Sequence, residues 1–287
     1  MPQESILTTP DSDRDDIYHV FQLTYAHIPR GRNENFLFRD FHDAPMPLHF
    51  NFWIAHNRHR TFLIDTGVNA RAEKERNRPL LFDPIDALRR LGIDPDLIED
   101  VFVSHLHYDH AGNLDRFAKA RFHIQDAEVA FATGRCMCER HIRAPFDVDD
   151  VVTLVRHTFA ERVVFHDGTD HPFPGVSVHA FPGHSGAVQG VLIETPRGPV
   201  LLAADATHTY ANLARRSPFL VTVGVDTTLR SYTEMLRIAT DVQFLIPGHD
   251  PLVCDFYPVR EFNGLPLALL HEVPKPHDLD MLARLDG

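Results

Sequence analysis

The stretch Ser104-His-Leu-His-Tyr-Asp-His-Ala-Gly-Asn113 decides how the rest of the chain is read. Four side chains able to bind a metal, His105, His107, Asp109 and His110, fall within six residues. An apolar run, Val101-Phe-Val, leads in, and the small pair Ala111-Gly112 leads out. This predicts a buried strand that delivers a loop of ligands to its end. His105 and His107 are two apart, so in extended backbone they point the same way. Asp109 and His110 are adjacent and diverge, which suits a second ion beside the first. Imidazole with carboxylate favours zinc or another first-row divalent ion over calcium.

Other places along the chain repeat the pattern of a polar residue at an apolar strand end. Arg60-Thr-Phe-Leu-Ile-Asp65 runs into Thr66-Gly67, and Leu201-Leu-Ala-Ala-Asp205 ends a hydrophobic run with an acid. Phe181-Pro-Gly-His184 and Phe244-Leu-Ile-Pro-Gly-His249 each set a histidine after Pro-Gly. Taken singly, Asp65 reads as a turn former, Asp205 as a helix cap, and either histidine as a surface residue. Their repetition in one chain argues for a shared site.

At 287 residues the chain suits one large domain or a fused pair. Hydrophobic residues at 44% and charged residues at 24% are ordinary for a globular protein with a sizeable core. The formal charge of −12 lacks the footprint of a nucleic-acid binder, and no basic run marks a membrane surface. The N-terminus shows neither a signal peptide nor a span. Three cysteines cannot form a disulfide framework, so Cys136 and Cys138 read as reduced thiols and the compartment as cytoplasmic.

Residues 1–17 read as a flexible arm and 18–287 as the folded domain. A strand is predicted over Tyr18–Tyr25, and a hairpin over Leu48–Ala55 and Arg60–Asp65. Pro84–Leu91 has helical spacing with Gly92 as its stop. Further strands are expected at Arg121–Gln125, Arg162–His166, Val176–Phe181, Val188–Glu194, Pro199–Ala204 and Val242–Ile246, with a helix from about Thr228 to Thr240. The segment 134–162 reads as a substrate-facing insertion, and the last 30 residues as an irregular tail. Phe131, Cys136 and Met137 are candidates for an apolar pocket wall. Homodimerisation through the Trp53-bearing hairpin and the insertion is allowed. The class is α+β, a two-sheet sandwich flanked by helices.

With these motifs in this order, the chain resembles the metallo-β-lactamase superfamily over roughly residues 18–255. The resemblance implies an αββα sandwich with two metal ions at one edge, between the sheets. It implies that His105, His107 and His184 hold one ion, that Asp109, His110 and His249 hold the other, and that Asp205 bridges them. Asp65 would orient a ligand histidine. Zinc is the implied metal, with manganese, iron and cobalt suited to the same ligands. Hydrolysis by a metal-bridging hydroxide is implied, with Asp109 passing a proton to the leaving alkoxide.

Within the superfamily the chain looks most like the N-acyl homoserine lactonase group, through its HLHYDHAGN motif, its IDTG hairpin end, and aspartate as the bridging residue. The implied substrate is a lactone. Those lactonases carry a tyrosine three residues after the bridging aspartate. Here that position is His208, with Tyr210 two further on, and both are candidates for binding the substrate carbonyl. A glyoxalase II-like thioesterase or other small-ester hydrolase is the alternative, ranked lower because the tail Pro274–Met281 offers few basic residues. A di-iron redox module is more remote, since that branch replaces the second histidine of the motif with glutamate.

Overall fold

The computed structural model describes Ile6 and residues 14–38 and 43–275. The expected arm therefore lies largely outside the described residues, apart from 14–17 and Ile6, which is buried in the core.

Thirteen strands are described: β1 (His19–Ile28), β2 (Leu48–His56), β3 (Thr61–Ile64), β4 (Asp100–Phe102), β5 (Arg121–Gln125), β6 (Val163–His166), β7 (Asp170–Phe173), β8 (Val176–Phe181), β9 (Val188–Thr195), β10 (Gly198–Ala204), β11 (Leu245–Pro247), β12 (Val259–Phe262) and β13 (Leu265–Leu269). They form an eight-stranded sheet, β12-β13-β1-β2-β3-β4-β5-β6, and a five-stranded sheet, β11-β10-β9-β8-β7. The helices are α1 (Ala70–Arg76), α2 (Pro84–Arg90), α3 (Asp126–Ala132), α4 (Arg140–Arg143), α5 (Val148–Phe159), α6 (Tyr210–Ala214), α7 (Val225–Ala239) and α8 (Leu252–Phe256).

Alternation along the strands builds two cores. In β2, Phe52 and Ile54 face a cluster shared with Ile85 and Leu88 of α2 and Leu154 of α5. Trp53 and Ala55 face the other way, toward Val191 and Leu201 of the small sheet. That second core continues to Tyr232 and Met235 of α7. The layers are therefore α, β, β, α, as expected. Trp53 is wholly buried and its indole N–H donates to Gln22 Oε1 at 2.9 Å. The indole itself therefore offers no surface to a second copy.

Two local expectations are corrected. Residues 242–244 form a 3-10 turn started by Asp241, whose carboxylate accepts from Gln243 N, so the strand begins only at Leu245. The described part of the tail is not irregular: β12 and β13 form a hairpin that extends the large sheet beyond β1. Its two-residue turn is Asn263-Gly264, with φ of 51° and 77°. Asn-Gly is the pair that a type I′ turn selects, because both central residues need positive φ.

In the first turn of α5, Asp150 is buried near the capping Asp147, and one of its carboxylate oxygens has no hydrogen-bond partner among the described residues. Burial, then the neighbouring Asp147, pushes its pKa from 3.8 to about 7. Between those values the folded chain holds a proton that the unfolded chain has released, so this group lowers stability as pH rises through that window. Asp150→Asn is expected to stabilise the fold by on the order of 2 kcal/mol at pH 8 and hardly at all at pH 4. Thermal unfolding at both values checks this; an equal gain at both would contradict it.

Candidate metal centre

The centre lies where five strand ends meet. β3 ends at Asp65, held at φ 66°, a conformation costly for a non-glycine residue and typical of functional sites. Asp65 Oδ1 accepts from Ser104 N at 2.7 Å, and Oδ2 from Ser104 Oγ at 2.8 Å. Oδ2 also accepts from His110 Nδ1 at 2.7 Å. The ligand loop after β4 is thus tied to the end of β3. Thr66 Oγ1 donates to His110 O at 3.0 Å, and the Asn113 amide donates to Thr66 O at 2.9 Å, closing the loop on the Asp65-Thr-Gly67 turn. The Tyr25 hydroxyl reaches over from β1 to Asp109 O at 2.8 Å.

The two Pro-Gly-His turns are held in the same manner. His184 Nδ1 donates to Val221 O and His249 Nδ1 to His49 O, both at 2.7 Å. With Nδ1–H committed, the Nε2 lone pair of each of these rings, and of His110, is turned inward. Such outer hydrogen bonds fix both tautomer and ring orientation.

The inward atoms converge. His105, His107, His184 and Asp205 form one group and Asp109, His110 and His249 another, with the ligand atoms of each group within 4.8 Å of one another. Asp205 stands between them. Its Oδ2 is 3.2 Å from His184 Nε2 and 3.8 Å from His105 Nε2, and its Oδ1 is 2.9 Å from His249 Nε2 and 3.2 Å from His110 Nε2. All seven side chains are buried. His105 Nε2, His110 Nε2 and Asp205 Oδ1 have no hydrogen-bond partner. Orphaned buried donor atoms facing one another fit a cation between them.

Electrostatics agree. Burial, with neighbouring imidazoles, holds His105 and His107 well below the usual histidine range, and burial brings His184 down to about 3. They are neutral, as metal ligands must be. Burial also disfavours charge on His110 and His249, but Asp205 and the other nearby carboxylates outweigh it and raise both. The acidic half of the centre calls for positive charge.

The site opens into a cavity of about 590 Å³ lined by Leu48, Phe50, Asp109, His208 and Phe219 among others. His208 lies 3.2 Å from Asp205 Oδ2 by its Nε2 and stacks on Phe219 with ring centroids 3.8 Å apart. Tyr210 is elsewhere: it starts α6, is buried in the core between the sheets, and packs on Phe256. Of the two candidates for the substrate carbonyl, His208 lines the cavity and Tyr210 does not. Phe131 and Met137 pack on the core outside the large sheet, and neither they nor Cys136 line this cavity.

Glu128 was not singled out by sequence reasoning. It is buried on α3, and its two oxygens accept from Leu106 N at 3.0 Å and Ala187 N at 3.1 Å. One carboxylate thus pins the loop of His105 and His107 to that of His184. The available signal was an acid on the buried face of a helix.

A metallo-beta-lactamase superfamily model matches residues 48–249, a span that contains every side chain of the centre. The chain belongs to the metallo-beta-lactamase superfamily. Within it, the chain is 32% identical over 175 residues to the N-acyl homoserine lactonase AiiB of Agrobacterium fabrum, covering 58% of this chain and 61% of that one. The AiiB of Rhizobium rhizogenes is 30% identical over 213 residues, covering 66% and 75%. For the Agrobacterium relative the match spans less than two thirds of its length. Among solved structures, a quorum-quenching N-acyl homoserine lactone lactonase aligns with TM-score 0.68 at 21% identity, covering 82% of this chain and 93% of that one. AidC, a dizinc quorum-quenching lactonase in complex with a product, aligns with TM-score 0.66 at 16% identity, covering 93% and 98%. These superfamily structures share the fold described above.

Proposed function

We propose that the protein is a hydrolase that opens a lactone ring, using two divalent ions, zinc by the chemistry of the ligands. The observation that carries this reading is the convergence of seven buried side chains able to hold an ion, five of which, His107, Asp109, His184, Asp205 and His249, line one cavity. The names of the curated relatives point to the same substrate class. In this reading His105, His107 and His184 hold one ion, Asp109, His110 and His249 the other, and Asp205 both. Such ions, when bound, polarise a carbonyl and make water a nucleophile at neutral pH.

The chain's own residues do the rest. His208, kept neutral by burial despite Asp205, donates to the lactone carbonyl oxygen and to the oxyanion that develops there. Its stack on Phe219 fixes the plane of the donor. Asp109 lines the cavity and is placed to take the proton that the attacking water gives up and to pass it to the leaving ring oxygen. Leu48 and Phe50, with Ile142 and Pro145 of the 134–162 segment, line the same cavity and offer apolar surface to the acyl part of the substrate. The three free thiols suit a reducing compartment, the cytoplasm. No helix among the described residues is long and apolar enough to cross a membrane.

The test is proton release on a panel of acyl homoserine lactones, other aliphatic and aromatic lactones, and thioesters, glutathione thioesters included. Lactones should open faster than thioesters of equal acyl length. Inert lactones beside a reacting thioester would move the assignment to a thioesterase.

A further inference from the structure

Three arginines from two loops meet in the same cavity. Arg30 follows β1, and Arg76 and Arg78 close α1 and the turn after it; all three are half-buried. In a chain of net charge −12, several exposed arginines find a carboxylate: Arg71 pairs with Asp147, Arg121 with Asp100, Arg230 with Asp226 and Arg260 with Glu272. Arg30, Arg76 and Arg78 do not, among the described residues. Their hydrogen bonds go to neutral oxygens. Arg30 donates to Glu34 O at 3.0 Å, Arg76 to Ala144 O at 2.9 Å and Phe146 O at 3.0 Å, and Arg78 Nε to the Tyr108 hydroxyl at 3.2 Å.

Rings hold the guanidinium planes in place. Arg30 lies over Phe219 at 5.0 Å, and Arg76 over Tyr108 at 4.1 Å. Phe219 is also the ring on which His208 stacks. Burial lowers the Arg30 pKa, Arg78 adds to the fall, and Glu34 opposes it. Glu34 offsets the repulsion between Arg30 and Arg78 but pairs with neither, and an oxyanion taken up between the two guanidinium groups would relieve the remaining cost of their burial. Arg76 has spent a donor from each terminal nitrogen on backbone carbonyls. Among the described residues, Arg78 has no partner for either terminal nitrogen and Arg30 none for Nε and Nη1, the donor edges that suit a planar carboxylate.

We propose that Arg30 and Arg78 recognise a carboxylate on the substrate, remote from the bond that is cleaved, so that the substrate is an acidic lactone or ester. The proposal rests on the hydrolase reading above and narrows its substrate. An acyl homoserine lactone with a plain alkyl chain has no such charge, so the inference departs from the names of the relatives.

The experiment compares kcat/KM for a lactone with a carboxylate-ended side chain against the same lactone ending in a carboxamide. It uses the metal-loaded protein and its Arg30→Gln and Arg78→Gln variants. The wild type should prefer the acid about ten-fold, through KM, and either variant should lose most of that preference. A ratio near one in the wild type, or one that neither variant changes, overturns the proposal. A second arm needs no turnover: calorimetric binding of hexanesulfonate, a poor metal ligand, should weaken about ten-fold in either variant. Equal binding by all three proteins also overturns it. If neither lactone is opened, the hydrolase reading fails and the sulfonate arm alone decides whether the anion site exists.

Discussion

Asp205→Asn is expected to cost about a thousand-fold in kcat/KM and to take the metal content from two ions per chain to one or fewer. The substitution keeps size and shape and removes one negative charge. That charge faces ring nitrogens of His105, His110, His184, His208 and His249, at 2.9 to 3.8 Å. Among the described residues no other carboxylate reaches both groups, since Asp109 belongs to one of them only. An amide can offer each group a carbonyl or an N–H, never an anionic oxygen to both. Elemental analysis and lactone-opening rates, run beside chelated wild type, measure the effect. Two retained ions with a rate within ten-fold of wild type would show that Asp205 does not join the halves of the centre.

The sequence made the candidate metal centre legible because each residue proposed to hold an ion sits at the end of an apolar run, where the chain leaves a sheet. His105, His107, Asp109 and His110 follow β4, Asp205 ends β10, and His249 follows β11, so periodicity located the residues and the fold brought them together. The side to which Trp53 points was not legible, because an apolar residue on a hairpin can face either layer; a sheet buried on both faces leaves no polar alternation to decide. The terminal hairpin was missed although Asn263-Gly264 announces its turn, because proline and leucine in the flanks masked the strand pattern. The carboxylate of Glu128 and the arginines of the cavity belong to a different kind of information. Arg30 and Arg78 are 48 residues apart in the chain and meet only through tertiary packing, so no local motif carries them.

Gly248→Ala is expected to lower activity about a hundred-fold while leaving all ligand side chains in the sequence. The glycine lies where β11 runs parallel to β10, with Pro247 paired to Ala204, so two ligand-bearing turns leave the sheet side by side. A Cβ at 248 would stand 2.6 Å from Asp205 Oδ1 and 2.8 and 2.9 Å from the carbonyl carbon and oxygen of Ala204. Two of those atoms are backbone, and Ala204 is already held at φ 45°, so neither turn can yield without moving a ligand. The displacement would fall on Asp205 and on His249, whose N–H is anchored to His208 O at 2.9 Å. Overpacking of this kind costs about 1–3 kcal/mol, so the variant should still fold, with metal affinity reduced more than stability. Metal titration, thermal unfolding and lactone opening on one preparation separate these effects. A variant that binds two ions with wild-type affinity and turns over normally would mean that the two turns flex independently, and the tight approach of β10 and β11 would then have no part in building the centre.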